Sequence, residues 1–176
     1  MTCAIIVRPL APRDDMAALT DLIHSAYARH AANNLLFFAT RQSVEETARR
    51  FSSGHGLVAE SGGRLVGTLT VRPPQPDAKV AAYRDPTTWS LCQFAVLPEA
   101  QGMGVGHRLH DAAFEYARRH GGRIMALDTA APATDLIDMY RRWGYTVVGE
   151  CDWRPQTNYP SVVLTRPITD TLTTHD

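Results

Sequence analysis

The stretch 91–120, LCQFAVLPEAQGMGVGHRLHDAAFEYARRH, constrains the fold of this chain more than any other. Phe94, Ala95, Val96 and Leu97 make an apolar run of strand length, ended by Pro98, which can neither donate to a ladder nor continue it. Gly102, Gly104 and Gly106 alternate through a turn, and from Val105 the apolar positions Leu109, Ala112, Ala113, Tyr116 and Ala117 recur at helical spacing until Gly121 and Gly122 stop them. The first four N–H groups of a helix have no partner inside it, and the aligned peptide dipoles put about half a positive charge there. With glycine at three positions of the turn, a phosphate can approach the main chain without meeting a Cβ, which suits a pyrophosphate. The plainer reading of the same glycines is a tight strand-to-helix turn. Two other phosphate motifs fail. GxGxxG needs glycine at His107 or at Leu109, and a P-loop needs Lys then Ser or Thr after Gly106, where His107 and Arg108 stand.

What the turn does match is QxxGxG: Gln101, Gly102, Met103, Gly104, Val105, Gly106, preceded by FAV and a proline. In these residues the sequence resembles the GCN5-related N-acetyltransferase (GNAT) family, whose acyl-CoA-binding segment has this form. LDTA at 127–130 and MYRRWGY at 139–145 resemble the family's next strand and its tyrosine-bearing helix. The opening VRPLAPRDD resembles its first strand and the approach to its first helix. The likeness covers residues 89–166 well, and the first 88 match in the order and type of elements. It implies an α/β fold of GNAT type: a mixed, mostly antiparallel central sheet of about seven strands, flanked by helices on both faces and splayed at the cofactor site.

A chain of 176 residues, 44% hydrophobic, is long enough for one sizeable core and short for two. A single domain over 1–168 is expected, with a frayed tail at 169–176. Eighteen basic and eighteen acidic side chains cancel, which disfavours nucleic acid and anionic membrane as partners. The early apolar run 4–7 is far too short for a signal-peptide core or a membrane span, so a cytoplasmic protein is expected. Cys3, Cys92 and Cys151 are too few and too widely spaced for a disulfide framework or a CxxC site. His107 and His110 stand at i and i+3 with no acidic or thiol ligand between them; a solvated helix face is expected there, and no metal.

In chain order, a strand over 4–8 precedes a helix capped by Asp14 or Asp15, with Met16, Leu19, Leu22, Ile23 and Ala26 as its apolar stripe. Residues 31–40 break that pattern, and Ser43 with Glu46 makes a capping box for a second helix. Runs 57–60 and 65–71 read as a hairpin. The proline-rich RPPQPDAKVAAYRDPTT that follows is read as a loop on the substrate side. After the central helix come a strand over 123–129, a helix with Leu136, Met139, Tyr140 and Trp143 on its apolar face, and two strands at 145–152 and 161–166.

The resemblance also assigns chemistry. The main chain of Phe94, Ala95 and Val96 would pair with the pantetheine arm of acetyl-CoA. The amides of Gln101, Gly102, Met103, Gly104, Val105 and Gly106, with His107, would hold its pyrophosphate. Tyr140 matches the family's acid, which protonates the departing thiolate, although its position on the apolar stripe also suits a packing tyrosine. The glutamate that many members carry before the glycine turn is missing, since Trp89, Ser90, Leu91, Cys92 and Gln93 include no carboxylate. Asp128 is then the nearest candidate base, or else a strand-end or helix-capping carboxylate; a water, or an amine arriving neutral, would also serve. Loops 28–41, 72–88 and 153–160 border the acceptor end, with Tyr27, Phe37, Phe38, Tyr83, Trp89, Trp153 and Tyr159 in or beside them, which suggests an aromatic-lined pocket. The expected activity is transfer of an acetyl group from acetyl-CoA to a primary amine of a small molecule or peptide by direct attack. The alternative is a module that binds acyl-CoA without turning it over. A homodimer through the last strands stays open.

Overall fold

A computed structural model describes residues 3–169. Seven strands form one sheet in the order β1-β2-β3-β4-β5-β7-β6. These are β1 (Ile5–Pro9), β2 (His55–Ser61), β3 (Arg64–Arg72), β4 (Thr88–Val96), β5 (Ile124–Ala130), β6 (Thr146–Asp152) and β7 (Pro160–Pro167). Every neighbouring pair is antiparallel except β4 with β5. The mixed, mostly antiparallel sheet expected from the sequence is therefore present.

Four helices cover it: α1 (Met16–Ala32), α2 (Val44–Ser52), α3 (Val105–Arg119) and α4 (Thr134–Arg142). They lie on both faces, and two glycines show why. A Cβ at Gly67 would run into Val105 and Leu109 of α3, so α3 packs directly on the backbone of the face that carries Gly67, Leu69 and Val71. A Cβ at Gly56 would meet Phe51 of α2 on the opposite face, where Gly56 lies across from Thr70. Because strand residues alternate, Thr68, Thr70 and Arg72 of β3 face α1 and α2. Cross-strand pairing carries that face through Ser90 and Cys92 of β4 to Ala126 and Asp128 of β5.

The local signals in the sequence hold where they rest on short-range bonds. Ser43 and Glu46 form the reciprocal capping box of α2. Asp15 caps α1, while Asp14 turns away to take Arg8 in a two-pronged ion pair and the amide of Ala11. On α4 the buried face is centred on Ile137 and Tyr140, with Leu136 and Met139 half-buried beside them. The expected frayed tail lies, apart from Thr169, outside the described residues; just before it, Ile168 donates to the carbonyl of Arg123.

One expectation is overturned. His110 does not lie on a solvated helix face: it is 2% exposed, bonded through Nε2 to the Tyr145 hydroxyl at 2.7 Å and enclosed by Phe114, Trp143 and Tyr145. Its neighbour His107 is exposed, as expected. Burial, with the nearby charge of Arg166 and with His107, pushes the His110 imidazole down to about 3. A histidine held neutral in the folded state contributes its full stability above the unfolded value of about 6.5, and loses it as pH falls from there towards 3. The slope is about 1.4 kcal/mol per pH unit for one such group. Urea unfolding at pH 7 and pH 5 checks this. His110→Gln, which can still meet the Tyr145 hydroxyl, should remove about 2 kcal/mol of the loss seen in the parent protein.

Candidate active site

The site begins where the sheet opens. β4 and β5 pair only from Thr88 to Ser90 against Ile124 to Ala126, and beyond that register the two strands have no ladder between them. Opposite this gap β4 is bulged, with Cys92 and Ala95 facing Thr70 and Thr68 and with Gln93 at φ 51. A side chain in that left-handed conformation needs a reason to stay. Gln93 has one: it is 4% exposed, and its Oε1 accepts from Gln42 Nε2 at 2.6 Å. Gln42 in turn donates to Thr47 and accepts from Arg50, and Thr47 is bonded to Thr20. This buried network ties the bulge to α1 and α2. A polar residue inside an apolar strand run is its sole mark in the sequence, where Gln93 stands in the stretch that lacks the family's carboxylate.

Past the bulge, Leu97 donates to Val66 in β3, so by alternation Ala95 also faces β3 while Phe94 and Val96 turn their main-chain groups to the gap. Of the three residues expected to present a free strand edge, the structure brings two to it. The Phe94 carbonyl accepts from the Tyr27 hydroxyl at 2.8 Å, and the Val96 carbonyl accepts from the side chain of Gln101 at 3.2 Å. Their N–H groups line the same edge.

The glycine turn follows. Gly102 and Gly104 sit at φ 78 and 79, with nothing within 4 Å of the place a Cβ would occupy, and Gly104 is the N-cap of α3. Gln101 donates its amide to Pro98, and the first helical bond runs from Arg108 to Gly104. Among the described residues nothing accepts from the six amides between them, those of Gly102, Met103, Gly104, Val105, Gly106 and His107. Val105 is buried against the core and anchors the turn, whereas residues 101–104 are exposed. Free donors at a helix N-terminus, with no Cβ at the two residues that turn outward, fit a diphosphate.

On the α3 face of the gap, Tyr140 packs edge-on against Trp143 and Tyr145 and is 9% exposed. Burial, with Tyr27 and Tyr145 close by, pushes its phenol well above the usual 10, so the proton stays on. The hydroxyls of Tyr27, Tyr83 and Tyr145 are all engaged. That of Tyr140 has no partner among the described residues, and so it is free to donate.

Asp128 lies on the opposite face, in the middle of β5 and two residues beyond the end of its pairing with β4. It is neither a strand-end nor a helix-capping group. One oxygen accepts from Tyr83 at 2.5 Å and the other from Trp153 Nε1 at 2.8 Å. A carboxylate has roughly four acceptor positions, so two donors hold it in place without saturating it. Tyr83 comes from the proline-rich loop, which closes over this face of β5 and β7 through Val80, Tyr83, Ala126 and Val163. Burial chiefly raises the Tyr27 phenol, to about 12, with Arg50, Cys92 and Asp128 near enough to act on it; Tyr83 is raised by burial too, with Asp128, Arg72 and Cys92 around it.

The aromatics expected at the acceptor end divide. Tyr27, Phe37 and His30 pack on one another at tilted angles and Tyr159 packs on Phe37, with ring centroids 4.9 to 5.7 Å apart. Tyr83 and Trp153 flank Asp128, and Phe38 lies under Arg50. Trp89 does not belong to the acceptor end: it packs on Tyr116 and His120 of α3 at the far end of β4. No group of three or more His, Cys, Asp or Glu suited to a metal exists among the described residues.

Comparison with known proteins fits this geometry. The profile of the acetyltransferase (GNAT) family matches residues 18–145. An S-alkylcysteine N-acetyltransferase of Bacillus subtilis is 30% identical over 144 residues, covering 80% of this chain and 79% of that protein. An S-(2-succino)cysteine N-acetyltransferase of the same organism is 30% identical over 148 residues, covering 81% and 86%. Among solved structures, a ribosomal-protein-S18-alanine N-acetyltransferase from Escherichia coli shares the fold at TM-score 0.71 and 15% identity, covering 98% of this chain and 99% of its own. An acetyltransferase from Salmonella typhimurium, solved with its cofactor acetyl-CoA, matches at TM-score 0.66 and 19% identity over 96% of each chain. The splayed seven-stranded sheet and the family profile over most of the sequence lead to one assignment: the chain belongs to the acetyltransferase (GNAT) family and is an acetyl-CoA-dependent N-acetyltransferase.

Proposed function

We propose that the enzyme acetylates the primary amine of a small S-substituted cysteine, with Tyr140 as acid and Asp128 as base. The observation that carries the catalytic assignment is the placement of these two side chains on opposite faces of one gap, the phenol unpartnered and the carboxylate held open. The acceptor class is supported by two relatives of similar length, whose names specify S-substituted cysteines.

When bound, acetyl-CoA supplies the activated acetyl thioester. The protein's part is to hold and to move protons. The amides of residues 102–107 receive the diphosphate, and those of Phe94 and Val96 receive the extended arm as an added strand would be received. Asp128, on the side of α1, α2 and the proline-rich loop, accepts hydrogen bonds from the arriving ammonium and takes a proton from it, directly or through one water. Tyr140, on the side of α3 and α4, would give its phenolic proton to the departing sulfur and be restored by the second proton, which the nitrogen sheds as it becomes the amide. We take residues 1–168 as one working domain. The cytoplasm is the compartment that three unpaired cysteines fit, since such thiols persist under reducing conditions. No helix among the described residues is long and apolar enough to cross a membrane.

Thiol release from acetyl-CoA in the presence of S-methyl-L-cysteine tests the reading, with N-acetylation of the product confirmed by mass. Turnover is expected. Stabilisation by coenzyme A without turnover of any primary amine contradicts it. Asp128→Asn should lower kcat/KM by about a hundredfold at pH 7. The deficit should narrow at pH 9.5, where more of the acceptor arrives neutral. A deficit that does not change with pH gives Asp128 a purely structural part.

A further inference from the structure

Three buried side-chain polar atoms lack a partner among the described residues, and two of them, Thr70 Oγ1 and Arg72 Nε, lie two residues apart on one face of β3. That face is the acceptor side of the sheet. Thr70 is fully buried opposite Cys92, and Arg72 lies opposite Ser90, where the β4–β5 pairing ends. Buried polar atoms are almost always satisfied, and these two find no partner within the described protein, which leaves both open to a ligand or to water.

The charges on this side are otherwise used. Arg50 donates to Gln42 and lies over the Phe38 ring, and Lys79 donates to the Asp152 carbonyl and lies over Trp153. Arg72 has neither a carboxylate nor a carbonyl acceptor among the described residues, and its guanidinium carbon stands 6.0 Å from the centroid of the Tyr83 ring. The hydroxyl of the same tyrosine is bonded to Asp128. A cation with no counter-ion among the described residues thus lies beside the ring of the same tyrosine whose hydroxyl meets a carboxylate with open acceptor positions. That is the charge pattern of a zwitterion.

We propose that Arg72, assisted by the hydroxyl of Thr70, receives the free carboxylate of the acceptor while its amine sits at Asp128, so that the enzyme selects free α-amino acids over their amides and over simple amines. The inference rests on the acetyl-transfer reading above and adds to it the group that distinguishes one amine from another. An anionic carboxylate meets two donors buried from water, Thr70 Oγ1 and Arg72 Nε, on a half-buried guanidinium, and a charged hydrogen bond of this kind discriminates by about ten- to a hundredfold.

The test uses three acceptors with the intact enzyme: S-methyl-L-cysteine, its primary amide, and 2-(methylthio)ethylamine, which has no carboxyl group at all. For the parent enzyme kcat/KM should be about a hundredfold higher with the amino acid than with either of the others. Arg72→Met keeps the apolar stem against Tyr83; it should lose about a hundredfold on the amino acid, chiefly through KM, and stay within about twofold on 2-(methylthio)ethylamine. Thr70→Val should show the same pattern at about tenfold or less. Equal use of the three acceptors by the parent enzyme overturns the inference and leaves acetyl transfer standing, and the same holds if Arg72→Met loses equally on all three. Absence of turnover with every amine overturns both.

Discussion

Replacing Tyr140 by Phe is expected to lower kcat by about a hundred- to a thousandfold with little change in the KM for acetyl-CoA. The substitution removes one oxygen from a ring held by Trp143 and Tyr145, and that oxygen has no partner among the described residues to lose. The fold therefore keeps its packing, and the unfolding midpoint should stay within about half a kcal/mol of the parent. A buried phenol, raised well above 10, delivers a proton to a thiolate whose own affinity for it is near 8.5 only when the two are positioned together. The loss should accordingly be smaller with a donor whose thiol leaves more easily, such as an acetyl thioester of an aryl thiol. A kcat that survives in Tyr140→Phe makes this residue a packing tyrosine and moves the acid elsewhere.

Gly104→Asp should raise the KM for acetyl-CoA by about a hundredfold while kcat at saturation changes only a few-fold. The position is open, so the new side chain meets no wall, but it puts a carboxylate among amides that otherwise face an anion. Backbone strain is the competing explanation, because φ at Gly104 is 79 and an L-residue there costs about 1 kcal/mol. Gly104→Asn separates the two. It carries the same strain and the same size without the charge, and its KM should rise about ten times less.

The glycine turn and α2 were legible because their signals are local: QxxGxG specifies an open helix mouth within six residues, and Ser43 with Glu46 closes a cap within four. The mixed sheet with helices on both faces followed from the order of strands, hairpins and helices, and its splay from the family resemblance. What could not be read depends on contacts made across the chain. The bulge at Gln93 is held by Gln42, 51 residues away, and nothing near Gln93 announces that partner. Asp128 looked like a strand-end group because its two donors come from 45 residues before it and 25 after it. His110 looked solvated on its own helix, since the Trp143 and Tyr145 that cover it belong to the next helix and the turn beyond. Arg72 gave no signal, for an arginine at a strand end is ordinary until its counter-ion is found to be missing.

The central claim is that the bare amides at the mouth of α3 hold the diphosphate of the donor. Amide chemical shifts followed by NMR during a titration with coenzyme A test it most directly. The largest changes are expected at Gly102, Met103, Gly104, Val105, Gly106 and His107, shifted as amides shift on gaining an anionic acceptor. Saturable binding that leaves those six resonances unmoved while others respond would contradict the account.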